Sequence, residues 1–242
     1  MTRSTLNSNL KKALLVLAVV PLTACSLSQL KSSPASSNSG SGSSVTSSST
    51  TSAFSPSSDA RKDLGDALRK LNSAYPYRLT ETTSATANGQ TAMPESTRVV
   101  EFAAPDRSHM KWTGGPGGNV EAISIGEKHY WFANGKWTEG TDPSSRGMNR
   151  GEDFAKKLAE MVKEVKYVGP ESINGVACHA YSFKAETTMA GQSYTGTGKL
   201  WIGAADGLPN QSDSEFKVAT YANKSHIVYE YNVDIKIEKP IP

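Results

Sequence analysis

Polar and apolar positions alternate almost without a break between His226 and Glu238. Ile227, Tyr229, Tyr231, Val233, Ile235 and Ile237 form one set; Glu230, Asn232, Asp234, Lys236 and Glu238 form the other, with Val228 the single exception. A period of two puts the sets on opposite faces of a strand, one covered and one wet, as in an antiparallel sheet. Shorter runs of strand character cover Tyr77–Thr86, Ser96–Ala103, Ser108–Thr113, Val120–Ile125, Lys128–Ala133 and Lys136–Glu139, then Ala177–Thr187, Thr195–Ile202 and Asp213–Ala219. Asn88-Gly89 and Asn134-Gly135 supply hairpin turns between such runs, and Gly114–Gly118 a glycine-rich break.

Two segments carry a 3–4 spacing instead. Ala60, Leu64, Ala67, Leu68 and Leu71 predict a helix over Asp59–Asn72, with Asp59 as N-cap and Pro76 limiting its end. Phe154, Leu158, Met161, Val162 and Val165 predict a second helix over Glu152–Lys166, ended by Gly169-Pro170. The order is helix, strands, helix, strands, without the βαβ alternation of a parallel sheet. A sheet of about nine to eleven strands with an apolar face must curl to hide it. The expected fold is therefore α+β: a strongly curved antiparallel sheet, an incomplete β-barrel, with two main helices covering its concave face.

The first 58 residues follow other rules. Arg3, Lys11 and Lys12 precede an apolar run from Ala13 to Val20, and Leu22-Thr23-Ala24-Cys25 follows. A basic start, a short apolar middle and small residues before a cut have the plan of a secretory signal peptide. The run is well short of the roughly 18 residues that span a bilayer. Leu22-Thr23-Ala24-Cys25 resembles the lipobox of bacterial lipoproteins. That resemblance implies removal of residues 1–24 and attachment of a diacylglyceryl group and a further acyl chain, such as palmitate, at Cys25, the lipid-attachment site. Several acyl chains make a stable membrane anchor where one does not. The competing reading is an ordinary signal peptide in which Cys25 is incidental. Residues 25–58 are rich in Ser, Thr, Gly and Asn and uncharged between Lys31 and Asp59, a composition that cannot offset its ordering entropy. They read as a flexible tether of roughly 30 Å r.m.s. span. Residues 59–242 form one domain.

Four segments in that domain resemble the lipoprotein-carrier superfamily of LolA, LolB, LppX and LprG type. They are Phe102–Arg107, Gly126–Phe132 with Trp137, Ile173-Asn174-Gly175-Val176, and Leu200-Trp201-Ile202-Gly203 leading into Asp206-Gly207-Leu208-Pro209. The resemblance implies a half-barrel closed by helices, whose hollow takes up acyl chains of lipid or lipoprotein cargo. Acyl chains leaving water gain about 25 cal/mol per Å2 of buried area, and such a site needs an apolar lining rather than catalytic groups. Met110, Trp112, Ile123, Ile125, Phe132, Leu200, Ile202, Tyr229 and Tyr231 are the candidate lining. Strand phase stays open, because Val99 and Val100, like Trp131 and Phe132, are apolar neighbours on opposite faces.

Charge and motifs narrow the function further. The net charge of +3 is dispersed, with no basic cluster of the kind nucleic acid requires. Ala122-Ile123-Ser124-Ile125-Gly126 lacks the first glycine of a nucleophile elbow, and no His-Glu-x-x-His or Cys-x-x-Cys occurs. Cys178 and His179 are adjacent on a strand and point to opposite faces. No catalytic residue, metal ligand or cofactor is expected, and Cys178 reads as a small buried hydrophobe. The expected partners are a membrane, through the anchor, acyl-chain cargo, and an envelope protein that receives or supplies it. The expected place is the cell envelope: Ser26 after the cysteine suits the outer membrane if there are two membranes, otherwise the outer face of the cell membrane. The rival reading is a structural or adhesive envelope lipoprotein whose barrel is filled by its own side chains.

Overall fold

A computed structural model describes residues 53–115, 118–140, 161–189 and 191–240 of the chain. Cys25, the signal segment and most of the tether lie outside the described residues. Among the described residues, one helix, α1 (Ala60–Leu71), precedes eleven strands. They are β1 (Tyr77–Ala87), β2 (Gln90–Ala104), β3 (Arg107–Gly115), β4 (Gly118–Ile125), β5 (Lys128–Ala133), β6 (Lys136–Gly140), β7 (Val162–Ile173), β8 (Val176–Met189), β9 (Gln192–Gly203), β10 (Pro209–Val218) and β11 (Tyr221–Tyr231). All pair antiparallel in one curved, unclosed sheet of order β6-β5-β4-β3-β2-β1-β11-β10-β9-β8-β7. Two meanders, β1–β6 and β7–β11, are thus joined along β1 and β11, where Tyr77 pairs Tyr231 and Ala87 pairs Tyr221. Asn88, Asn134 and Asn174 adopt φ of 53° ahead of glycines at 76°, 74° and 82°, so three Asn-Gly turns hold the left-handed geometry that tight hairpins need.

Asp59 caps α1 as the sequence predicts, its carboxylate accepting from the Arg61 and Lys62 amides. The helix lies on one face of the sheet, here the inner face. Leu64, Ala67 and Leu68 pack against Val162, Tyr181, Phe183, Ala185, Leu200 and Ile202; Leu71 packs against Tyr77, Phe102 and Tyr229. Asp63 is buried in this contact, accepting from the Ser57 amide at 2.9 Å and the Tyr181 hydroxyl at 3.0 Å. Phe54 adds its ring to the same cluster, edge-on to His179, and its amide donates to the Ala204 carbonyl at 2.8 Å. The end of the expected tether is thus held on the domain.

The second expected helix is corrected in its described part. Residues 152–160 lie outside the described residues, and Val162–Lys166 form the start of β7. A register shift explains the misleading spacing. Val162 pairs Ala185, Glu164 pairs Lys184 and Val165 pairs Phe183, with a bulge between the first two pairs. The extra residue brings Val162 and Val165, three apart, onto one face, which mimics a helical turn. Gly169, read as a helix stop, sits at a second irregularity in the same strand, at φ 142°.

The long alternating run is also divided. Pairing ends at Tyr231, and Asn232 turns the chain at φ 57°. Ile235 and Ile237 then pack beside Ile123, Ile125, Tyr130 and Trp137, and Arg107 donates to the Ile237 carbonyl at 3.1 Å.

Candidate functional site: the inner face of the sheet

Register assigns every side chain to a face, because directly paired residues share one. From the helix-facing Tyr229, the pairs Tyr229–Leu79, Leu79–Val100, Val100–Met110, Met110–Ala122 and Ala122–Trp131 form an unbroken apolar row across five strand junctions. Tyr229 is buried in the helix contact. Leu79, Val100, Met110, Ala122 and Trp131 are half-buried, and among the described residues the last three belong to no buried cluster.

A parallel row begins at Ile227 and runs through Glu81, Arg98, Trp112 and Val120. It places an ion pair, Arg98 on Glu81, between an isoleucine and a tryptophan. Ser225 Oγ donates to Glu81 at 2.7 Å, and the next row, Ser214–Ser225–Thr83–Ser96, is all hydroxyl, with Thr83 and Ser96 bonded at 3.0 Å. The inner face is therefore graded from aliphatic and aromatic to ionic to hydroxylic within three rows.

The nine candidate lining residues separate into three groups. Met110 and Trp112 lie on the inner face, half-buried and in no buried cluster among the described residues. Leu200, Ile202, Tyr229 and Tyr231 share that face but pack into the clusters around α1. Burial pushes the Tyr229 and Tyr231 phenols far up, and the Tyr231 hydroxyl donates to the Pro209 carbonyl at 2.5 Å. Ile123, Ile125 and Phe132 are on the outer face, since Ile123 pairs Tyr130 and both flank the tail residue Ile237. The cause is strand phase. In β4 and β5, Ile123, Ile125 and Tyr130 point outward, where Ile235 and Ile237 cover them, and strand alternation leaves Ala122 and Trp131 on the inner face. Leu79, Val100, Ala122 and Trp131 are members of the row that were not among the nine. The apolar pairs Val99/Val100 and Trp131/Phe132 carried the relevant signal, without the phase.

The space against β8–β10 is filled by the protein itself. The Phe183 ring occupies the position over Gly198 and the Phe216 ring that over Gly196, so close that any β-carbon there would collide with them. Cys178 is buried on the outer face beside Ala180 and Trp201, and burial raises its thiol pKa, with the Asp206 carboxylate adding to the effect. Among the described residues, no three His, Cys, Asp or Glu side chains gather as a metal site would need. Among them, too, no helix is long and apolar enough to cross a membrane.

No protein-family profile matches the chain, and no curated protein matches it. Solved structures do. LprF from Mycobacterium bovis aligns with 78% of this chain over 100% of its own length, at 13% identity and a TM-score of 0.50. The Mycobacterium tuberculosis lipoprotein LppX aligns with 73% over 99% of its length, at 11% identity and a TM-score of 0.49. A LolA superfamily protein from Nitrosomonas europaea aligns with 74% over 96%, at 9% identity and a TM-score of 0.33. At these identities the likeness is one of fold: the chain has a curved antiparallel sheet like that of LprF.

Proposed function

We propose that this chain is a membrane-anchored envelope lipoprotein that takes acyl chains of a lipid or lipoprotein against the inner face of its sheet and helps move them between membranes or into one. The observation that supports the reading best is the half-buried apolar row Leu79–Val100–Met110–Ala122–Trp131, whose last three members belong to no buried cluster among the described residues. A continuous apolar strip several strands wide gives a hydrocarbon chain dispersion contacts and removes it from water. Its side chains are aliphatic, thioether and indole, and the chemistry they suit is binding. Lipidation at Cys25 would keep the domain at a membrane surface, and the stretch after it would set its reach.

Mass spectrometry of the full chain, purified from membranes in mild detergent, tests this. Co-purifying phospholipid, glycolipid or fatty acid is expected, and Met110→Lys should lose it while keeping the fold. A protein free of lipid that shows no thermal shift with added acyl ligands overturns the proposal in favour of a structural lipoprotein. Labelled palmitate should enter the chain and be lost in Cys25→Ala, which should also leave the membrane fraction. A Cys25→Ala protein still held by membranes would remove the anchor from the scheme.

A further inference from the structure

Two arginine–glutamate pairs bridge β1 and β2, and they are built differently. On the outer face Arg78 is fully engaged: Nε and Nη2 donate to Glu101 at 3.0 and 2.8 Å, and Nη1 donates to Glu230 at 3.3 Å. On the inner face Arg98 meets Glu81 through Nη2, while its Nε is buried with no acceptor among the described residues. Glu81 is the deeper partner, with 13% of its side chain exposed against 37% for Arg98. A half-buried ion pair recovers its desolvation cost best when its remaining donors and acceptors are met, and a buried unmet donor such as this Nε is rare. An incompletely bonded guanidinium flanked by Trp112, next to an apolar row on one side and a hydroxyl row on the other, is badly explained by stability alone.

Resting on the acyl-binding reading above, we infer that Glu81 and Arg98 form the head-end subsite of the inner face. The hydrocarbon lies along Val100–Met110–Ala122–Trp131, and the oxygens that join it to its head group accept hydrogen bonds from the Arg98 guanidinium. Glu81 decides which oxygens. It already neutralises Arg98, so an incoming carboxylate or phosphate meets a site of no net charge and a carboxylate at close range. An uncharged ester or amide carbonyl takes the spare donors without that repulsion. The Ser214, Ser225, Thr83 and Ser96 hydroxyls, one row further on, suit an uncharged polar head beyond the linkage.

The test is a charge switch. The full chain is titrated with dioleoylglycerol, oleate and dioleoylphosphatidylglycerol delivered from cyclodextrin, with tryptophan fluorescence as the readout, since Trp112 faces Arg98 across the β2–β3 pairing. The unaltered chain should favour dioleoylglycerol over both acidic ligands by about tenfold. Glu81→Gln uncovers the guanidinium and should reverse that order. The double variant Glu81→Gln, Arg98→Gln should lose head-group discrimination while keeping its melting temperature within a few degrees of Glu81→Gln. Equal affinity for all three ligands, unchanged in Glu81→Gln, overturns the subsite and leaves the acyl-binding proposal standing. Failure of the unaltered chain to bind any of the three strikes that broader proposal instead.

Discussion

The two ends of the sheet use the same inner face in opposite ways. Across β8 and β9, Tyr181, Ala185, Leu200 and Ile202 are wholly buried under α1, and phenyl rings lie over the glycines of β9. Across β3–β5, Met110, Ala122 and Trp131 face the same side and remain half-buried. Both ends carry apolar side chains of comparable size, so composition does not separate them. What separates them is the 12-residue helix, which is too short to lie across eleven strands. One end has its core completed by the chain. The other keeps an apolar strip that needs a second molecule or a further segment to cover it.

Substitutions at the two ends should therefore be read by different instruments. Leu200→Ala opens a void beneath α1 and should cost about 2–5 kcal/mol in denaturant unfolding. A loss under about 1 kcal/mol would mean that the helix contact is loose and the contrast between the ends is false. Asp63→Ala strands the buried Tyr181 hydroxyl and frees the Ser57 amide, with an expected loss of about 1–3 kcal/mol. Met110→Lys, at the open end, should change stability by less than about 1 kcal/mol and weaken acyl-ligand binding by about tenfold or more. A large fall in stability with binding intact would place Met110 in a finished core.

A smaller effect is expected from the outer face of β7. Glu171 accepts from Lys199 Nζ at 2.6 and 2.8 Å and from Trp201 Nε1 at 2.6 Å, and these bonds, Lys199's first, hold its carboxyl below the usual carboxylate range. A carboxylate whose pKa is lower in the folded state contributes stability that is complete above its unfolded value and disappears as pH falls through the folded one. Glu171→Gln should lower stability slightly at neutral pH and flatten its decline as the pH falls into the acid range. An unchanged acid limb in urea titrations would show that the cluster does not contribute.

Much of this fold was legible in the sequence. The Asp59 cap, α1 and nine of the strands are where spacing and Asn-Gly turns put them, because those signals are local. β7 was missed because a bulge gave a strand the spacing of a helix. The tail beyond Asn232 was read as strand because its alternation is real: Ile235 and Ile237 do turn onto a covering contact, but against the sheet's outer face rather than within its ladder. The same contact hid the inner row. A strand apolar on both faces shows no clean polar face, so β4 and β5 offered Ile123, Ile125 and Phe132 as readily as Ala122 and Trp131. Phase there depends on partners distant in sequence, as does the pairing of Arg98 with Glu81 and Ser225.

That outer contact also bears on how the molecule is made. Ile235 and Ile237 clasp strands formed from the earlier meander, from a position far down the chain. A nascent β1–β6 meander would wait with Ile123, Ile125 and Tyr130 bare until synthesis of the rest of the chain had delivered its fastener. Non-local closures of this sort slow folding and prolong the exposure of sticky surface. Chaperones would thus have their greatest hold on this protein just before that segment docks.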